Sequence, residues 1–233
     1  MTIISIHQPN YLPWLGFFHK ILHSDIYVIF DDVQLPRGKD FIVRNCIKTQ
    51  GGAKWLRVSV KDKSGLLPIN QVEINNETNW STNHWNSIKQ NYAKSSFFLS
   101  FQDQFKDIFD KEWNLLIDLN VTLIKTILNI LEIKTKIVRS SQIGIHDSGT
   151  EKILQTVKML GGNQYLTGWG TGSRRYIEGK DEQFRNHGIE IIIQKFNHPV
   201  YPQLFGEFIP NLTICDTLFN VGAKKTKELI VQQ

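Results

Sequence analysis

Cysteine is scarce in this chain of 233 residues, and a long hydrophobic run is missing altogether. Cys46 and Cys215 lie far apart with no second cysteine or paired histidine nearby, so neither a disulfide framework nor a zinc site is specified. The longest apolar segment, residues 115–131, is interrupted by Asp118 and Lys125, whereas a membrane span needs roughly 18 consecutive apolar residues. The N-terminal segment also lacks the basic start of a signal peptide. We therefore expect a cytoplasmic protein without a membrane span.

A concentrated basic arm or stripe is also missing. The chain has 27 Lys and Arg residues against 22 Asp and Glu residues, a net charge of +5, and these charges are scattered along its length. Scattered charge of this kind favours a small phosphate-bearing ligand over a nucleic-acid duplex. We expect no specific nucleic acid, and a nucleic-acid reader is the third functional alternative.

Hydrophobic patterning predicts an α/β fold with a mostly parallel, Rossmann-like sheet. Short β-branched runs predict strands at residues 3–6, 26–30, 136–139, 164–166 and 189–194. Apolar residues at helical spacing predict intervening helices at residues 14–22, 150–160 and 174–186.

A different pattern separates these two β-α regions. Alternating runs predict antiparallel strands at residues 41–48, 55–60 and 71–74, and helical periods follow at residues 80–92, 96–109 and 113–131. The sequence contains neither an internal repeat nor a flexible linker. We therefore expect a single domain over residues 1–233, with an inserted antiparallel-β plus helical subregion at about residues 38–132.

The loops after the parallel strands are the expected place for a site, because ligands of open α/β sheets bind outside the carboxyl ends of the strands. His7 follows the first strand in a loop held between two prolines, and it is the first acid-base candidate. The structural alternative is that His7 and Asn10 only cap the following helix. Asp31 and Asp32 end the second strand, where one carboxylate can accept a ribose hydroxyl, an ammonium or a metal. Two acids alone are too few to specify a metal.

Basic residues and glycines predict anion contacts near these loops. Arg37, Arg44, Asn45 and Lys48 follow the two aspartates and can hold a diphosphate or a carboxylate, with solvated surface charge as the alternative. The glycine-rich run 168–173 precedes the pair Arg174 and Arg175 and predicts a cradle of backbone N–H groups with two cations. This run is not a Walker A loop, and no GxGxxG fingerprint follows the first strand.

Aromatic and polar residues elsewhere supply further candidates. His198, Tyr201 and Gln203 lie between prolines after the last predicted strand, in a loop of the same style as the first. His84 and Trp85 can stack on a base or sugar, although core packing is the commoner use of such residues.

Several blocks of this sequence resemble the WbqC-like family. The blocks are IHQPNYLPWLGF at residues 6–17, FDDVQ at 30–34, RN at 44–45, HW at 84–85, HPVYPQ at 198–203 and PNL at 210–212. The resemblance runs in order from about residue 3 to residue 222. It implies a role in bacterial O-antigen, lipopolysaccharide and related surface-polysaccharide biosynthesis, and it suggests transfer of glycine or a related acyl group to an amino sugar.

The overlap between the loops and this resemblance leads to an acyltransferase hypothesis. The enzyme would join an activated acyl or aminoacyl group to the amino group of a nucleotide-linked amino sugar. The expected catalytic residues are His7, His198 and Asp31. The expected substrate-binding residues are Gln8, Asn10, Tyr11, Asp32, Gln34, Arg44, Asn45, His84, Trp85, Arg174, Arg175, Tyr201, Gln203 and Asn211. Within this set, Arg44, Arg174 and Arg175 would hold the diphosphate, and Asn10, Gln203 or the glycine-rich loop would stabilise the oxyanion.

The sequence specifies no cofactor and leaves the activated donor open among a thioester, an acyl adenylate and an aminoacyl-tRNA. A homodimer is compatible with the sequence. Two alternatives stand beside the transferase. One is a non-catalytic protein that binds a glycan precursor or a partner enzyme. The other is an ATP-dependent enzyme similar in layout to nucleotidyltransferases, although residues 14–17 read WLGF where those enzymes have HxGH.

Overall fold

The computed structural model describes residues 1–36, 38, 40–61 and 65–232, and it confirms the α/β class. Arg37 lies outside the described residues. The seven strands are β1 (Ile3–His7), β2 (Ile26–Ile29), β3 (Arg44–Thr49), β4 (Gly52–Arg57), β5 (Lys136–Arg139), β6 (Gln164–Thr167) and β7 (Glu190–Ile193). The eight α-helices are α1 (Leu15–Leu22), α2 (Trp80–Tyr92), α3 (Phe98–Asp110), α4 (Leu116–Ile130), α5 (Gly149–Met159), α6 (Thr171–Ile177), α7 (Asp181–Asn186) and α8 (Ile214–Val231). These counts refer to the described ranges.

Five of the strands form one parallel sheet in the order β5-β2-β1-β6-β7. In the centre of this sheet, Ser5 of β1 lies opposite Tyr27 of β2 and Leu166 of β6. The chain leaves β1 towards β2 on one side, and it later returns through α5 to β6 on the other side. The direction of winding therefore reverses between β1 and β6, which is where open α/β sheets bind their ligands.

The two faces of the sheet are covered by different helices because side chains alternate along each strand. Ile4 and Ile6 of β1 pack on one face with Ile153 of α5 and Phe184 of α7. The other face carries the larger core, to which α1, α2, α3, α4 and α8 contribute. The β-branched residues of the short strands thus fill a core on both sides, as parallel strands require.

The region between β2 and β5 contains the β3-β4 hairpin followed by α2, α3 and α4. The strand expected at residues 71–74 is absent from the described residues, which show a 3-10 helix at Ile69–Gln71 and single antiparallel bridges at Ile74 and Glu73. The Val72 carbonyl accepts its hydrogen bond from the first residue of α4 rather than from a strand, with Leu116 N donating at 2.9 Å. The prediction of one domain stays a prediction.

Two helices differ from the sequence expectation. The helix expected at residues 174–186 is divided into α6 and α7, since Gly179 between them has a φ of +70°. The helix α8 was not expected, and it contains a kink where Gly222 has a φ of +78°. A Cβ at Gly222 would lie 2.8 Å from the Phe97 ring, so this glycine permits both the kink and the close packing.

Candidate functional site

A cleft of about 670 Å³ opens beyond the carboxyl end of β2, on the face of the sheet that α5 and α6 cover. A smaller cavity of about 80 Å³ adjoins it between β1 and β6. The two share Phe30, Arg175 and Tyr176 as lining residues. They therefore form a continuous depression at the point where the winding of the sheet reverses, and we treat the larger one, called the cleft below, as the candidate site.

One ion pair lies within the cleft. The Lys152 Nζ is 2.7 Å from Asp32 Oδ2 and also donates to the Ile145 carbonyl at 3.2 Å. Ser140 Oγ donates to the other Asp32 oxygen at 2.5 Å. Lys152 is only 5% exposed, so this carboxylate and ammonium are held in a fixed geometry at the wall of the cleft.

The N-terminus of α5 and two further cations also face the cleft. Ser148, Gly149 and Thr150 begin this helix and line the cleft, and the first backbone N–H groups of a helix have no partner within it. Lys180 Nζ donates to Thr150 Oγ1 at 2.5 Å, and Arg175 donates to the Tyr176 hydroxyl at 2.5 Å. Both acceptors are neutral, so these two hydrogen bonds do not offset the positive charges, and Asp147 is the acidic residue that lines the cleft beside them. Such an arrangement can hold an anion such as a diphosphate.

His7 ends β1 and lines the smaller cavity. Its Nδ1 donates to the Gln8 carbonyl at 2.8 Å, because a carbonyl can only accept, and this leaves Nε2 as the acceptor nitrogen. Burial, and to a lesser degree the positive charge of Lys20, lowers the pKa of His7 to about 3. The acid-base assignment from sequence relied on an ordinary imidazole pKa near 6.5. In the folded protein His7 is instead a neutral hydrogen-bonding group throughout the physiological range.

Lys20 of α1 is a residue that the sequence analysis did not select. Its side chain is 4% exposed, and burial lowers the pKa of its ammonium to about 8. Its Nζ lies at the glycine-rich loop, 3.7 Å from the position that a Cβ would take at Gly168. The signal available in sequence was weak, because a lysine in an amphipathic helix ordinarily indicates a solvated face.

Four of the expected substrate-binding residues line these two cavities: Gln8, Asp32, Gln34 and Arg175. Arg174 is the sequence neighbour of Arg175, yet its guanidinium lies over the Trp169 ring at 5.3 Å and pairs with Glu178. Arg44 lies over the Trp55 ring at 4.3 Å on the β3-β4 hairpin.

Asp31 is fully buried and connects the loops after β2 and β5. Its carboxylate accepts hydrogen bonds from Arg139 Nε at 2.6 Å and from the backbone N–H and hydroxyl of Ser141 at 3.0 and 2.8 Å, and Ser140 Oγ, whose one proton is directed to Asp32, lies 3.1 Å from Asp31 Oδ1. Both oxygens are therefore occupied within the protein, and the carboxylate holds Ser140 beside Asp32.

The loop after β1 is fixed by buried polar contacts. The Tyr11 hydroxyl is 2.8 Å from His84 Nδ1, and Asn45 Nδ2 donates to the Leu12 carbonyl at 2.7 Å. Burial lowers the pKa of His84 to about 4, so its ring is neutral. Asn10 is 5% exposed, and Trp85 stacks on aromatic rings of the core. These residues hold the loop from the side opposite to the cleft.

The loop after β7 packs over α1 and the start of α8. The His198 ring is stacked on Trp14 at 6.3 Å, and its Nδ1 donates to the Pro199 carbonyl at 3.0 Å. Burial lowers the pKa of His198, and within the described chain its buried Nε2 has no hydrogen-bond partner. The two histidines therefore do not face one common cavity, since His7 lines the smaller cavity and His198 lies within an aromatic cluster.

A network around Asp216 accounts for the neighbours of His198. The buried Asp216 carboxylate accepts from the Tyr201 hydroxyl at 2.9 Å and from Gln203 Nε2 at 2.8 Å. Lys48, also buried, donates to Gln203 Oε1 at 3.1 Å. Asn211 has a φ of +60° in the turn that precedes α8, a conformation that asparagine tolerates. These contacts fasten the loop to the hairpin.

Gly16, the glycine of the WLGF segment, is required by its contact with Trp14. A Cβ at Gly16 would lie 2.3 Å from the Trp14 indole, which folds back over the start of α1. The indole thus fills the space over this glycine, and it blocks the close approach of a ligand to the backbone there.

The described residues contain neither a metal-binding cluster nor a membrane-spanning helix. No group of three or more His, Cys, Asp or Glu side chains in those ranges is arranged to hold a metal ion. None of the helices in the same ranges combines the length and the apolar character that a membrane crossing requires.

Comparisons with known proteins give one family and one relative. The model of the WbqC-like protein family matches residues 8–228. An uncharacterized protein of Mycobacterium tuberculosis, Rv1507c, is 30% identical over 226 residues, which is 96% of this chain and 96% of that protein. No solved structure matches the chain significantly.

Proposed function

The chain belongs to the WbqC-like protein family, and from this premise we propose that it acylates the amino group of a nucleotide-linked amino sugar. The acyl group is glycine or a related acyl or aminoacyl group, and the pathway is the cytoplasmic synthesis of a bacterial surface polysaccharide such as O-antigen. The observation that supports the proposal is the cleft, where the N-terminus of α5 converges with Lys152, Arg175 and Lys180. A diphosphate with an attached sugar suits this combination of charge and volume.

In this proposal, the diphosphate lies at the α5 N-terminus between Arg175 and Lys180. Asp32 and Gln34 then face the sugar hydroxyls, as carboxylate and amide groups that line the same cleft. Tyr176 and Phe30 supply apolar and aromatic surface for the base or the sugar ring. Gln8 and His7 lie in the adjoining cavity, where the amino group would project.

The reaction forms one amide bond. The uncharged amine nitrogen attacks the carbonyl carbon of the activated donor, and a C–N bond forms while the bond to the leaving group breaks. The leaving group departs with its electron pair, and the nitrogen releases one proton, which converts a thiolate or a tRNA alkoxide into the thiol or the hydroxyl and passes to water when the leaving group is an adenylate. Since His7 is neutral with Nε2 as the acceptor nitrogen, we assign to it the acceptance of an amine N–H, which orients the nitrogen lone pair. Asp31 and His198 enter as positioning residues.

The experiment is a transfer assay with the purified protein. UDP- and dTDP-linked amino sugars are combined in turn with glycyl and acetyl thioesters, acyl adenylates and aminoacyl-tRNA, and mass spectrometry detects the acylated sugar. The expected result is product with one donor class and a large loss of kcat in His7→Gln. The matched control is His23→Gln, because His23 is exposed beyond the far end of α1. Equal turnover in both variants would contradict the role of His7.

A non-catalytic binding role is the second candidate. It is supported by the pKa of about 3 at His7 and by the complete pairing of the Asp31 carboxylate within the protein. This candidate predicts that the nucleotide-linked amino sugar binds in the cleft and is recovered unchanged with every donor class.

A further inference from the structure

A second group of hydrogen-bond donors converges at the glycine-rich loop, apart from the cations of the cleft. The point that a Cβ would occupy at Gly168 lies 3.7 Å from Lys20 Nζ, 3.8 Å from Ser173 Oγ and 4.0 Å from the backbone nitrogen of Gly170. An ammonium, a hydroxyl and an amide thus surround one small space. The space exists because residue 168 has no side chain.

The position of Lys20 in α1 explains how its ammonium reaches this space. The helix α1 begins near the carboxyl edge of the sheet and runs away from it, and side chains of a helix lean towards its N-terminus. The Lys20 side chain therefore extends back to the edge where β1 and β6 end. Its charge is close enough to His7 to contribute to the lowered pKa of that imidazole.

Lys20 is also an ammonium without a counter-charge. Only 4% of the surface of this residue is exposed. Over the described ranges, no ion pair or hydrogen bond joins its Nζ to another group, and the Nζ is not among the fully buried atoms without a partner, so it keeps some access to solvent. An unpaired charge with so little solvent around it is costly, and proteins ordinarily compensate it with a partner. A bound anion would supply the missing negative charge.

We propose that Lys20, Ser173 and the Gly170 amide form an anion-binding cradle over Gly168, which receives a phosphate or a carboxylate group. The cradle is a site of its own and does not rest on the proposed function. The ammonium supplies the charge, while the hydroxyl and the amide supply directional hydrogen bonds. In a transferase, such a cradle at the switch point would hold the anionic end of a second substrate beside the first.

The first test measures the thermal unfolding midpoint with inorganic phosphate and with sodium acetate, against sodium chloride at equal ionic strength. The wild-type midpoint is expected to rise with phosphate, with acetate or with both, and the effective anion identifies the chemistry. Lys20→Met is expected to abolish this rise, while Lys125→Met, which removes an exposed lysine of α4, retains it. A wild-type midpoint insensitive to both anions, or an equal rise in Lys20→Met, would overturn the proposal.

The thermal unfolding midpoint of Lys20→Met without added anions gives an independent readout. Lys20→Met removes an uncompensated buried charge and keeps the aliphatic length, so its midpoint without anions is expected to equal or exceed that of the wild type. A merely structural role of Lys20 predicts a lower midpoint. Lys180→Met changes the cleft and leaves the cradle intact, so it is expected to keep the phosphate or acetate response. The failure of the cradle and the failure of the nucleotide-sugar site are thereby distinguishable.

A labelling experiment on the wild-type protein covers the case in which Lys20→Met does not fold. Acetic anhydride acetylates uncharged lysine amines, and peptide mass spectrometry reads the rate at each lysine. Phosphate or acetate is expected to slow the acetylation of Lys20 several-fold relative to that of Lys125. Equal rates at Lys20 with and without both anions would overturn the proposal.

Discussion

Asp31 and Arg139 form an ion pair in which the Arg139 Nε lies 2.6 Å from Oδ2 of a carboxylate that is fully buried. This pair joins the loops after β2 and β5, the two strands at one edge of the sheet. It also brings Ser140 to both Asp31 and Asp32. The two adjacent aspartates therefore have different roles. Asp31 is directed into the protein, and Asp32 is directed towards the cleft.

The ion pair leads to a stability prediction. Asp31→Asn leaves Arg139 without its buried partner, and the free energy of unfolding is expected to fall by about 3 kcal/mol, as for other broken buried pairs. Urea denaturation measures this change. The control is Asp110→Asn, whose carboxylate pairs with Lys106 at the exposed end of α3 and is expected to change stability by less than about 1 kcal/mol. Equal effects would contradict the structural role of Asp31.

Histidines whose pKa values are lowered by their surroundings predict a loss of stability in mild acid. The pKa values of His7 and His84 are lowered to about 3 and about 4 in the folded protein, whereas both lie near 6.5 in the unfolded chain. Below pH 6.5 the unfolded chain therefore binds more protons, and each histidine lowers the free energy of unfolding by roughly 1.4 kcal/mol per pH unit until its folded pKa is reached.

The check is urea denaturation of the wild type and of His84→Gln from pH 7 to pH 5. The variant is expected to show the shallower slope of stability against pH, because one of the histidines with a lowered pKa is removed. His23→Gln, at an exposed histidine, should keep the wild-type slope. A His84→Gln slope as steep as that of the wild type would show that His84 is not held neutral.

The contact between Trp14 and Gly16 predicts a local packing effect. Gly16→Ala places a methyl group 2.3 Å from the present indole position, so the indole must move, and a loss of about 2 kcal/mol is expected from overpacking. Gly51→Ala is the matched control, because the nearest atom to a Cβ there is Thr49 Oγ1 at 3.9 Å. Thermal unfolding and Trp fluorescence report the stability and the indole environment. An unchanged Gly16→Ala would refute the packing.

The outline of the fold was predictable because its signals are local. The β-branched runs at Ile3–His7 and Ile26–Ile29 and the glycine-proline punctuation around them are visible within a few residues. Adjacent side chains of an extended chain point in opposite directions, so local geometry predicts that one of Asp31 and Asp32 reaches the site, but it does not predict which one. By contrast, α8 contains a glycine of the kind that normally ends a helix, and the packing of Gly222 against Phe97, the residue before α3, exists only in the folded chain.

The site was only partly predictable because its key contacts are long-range. His84 and His198 are of a residue type that often has a catalytic or binding role. In the folded chain, however, their rings are enclosed by residues that are distant in sequence, such as Tyr11 and Trp14. Lys20 presents the opposite case, because its sequence surroundings are those of an ordinary surface lysine. Its ammonium lies next to Gly168, in the loop after β6, which is distant in sequence.

The central claim is that the cleft binds a nucleotide-linked amino sugar, and the neighbours Arg174 and Arg175 test it most directly. Isothermal titration calorimetry with a panel of UDP- and dTDP-linked amino sugars compares the wild type with Arg174→Met and Arg175→Met. Arg175 lines the cleft, whereas Arg174 pairs with Glu178. The account predicts that Arg175→Met raises the Kd about tenfold, the equivalent of roughly 1.4 kcal/mol, and that Arg174→Met leaves it nearly unchanged. Absence of binding to every member of the panel, or equal effects of the two substitutions, would contradict the account.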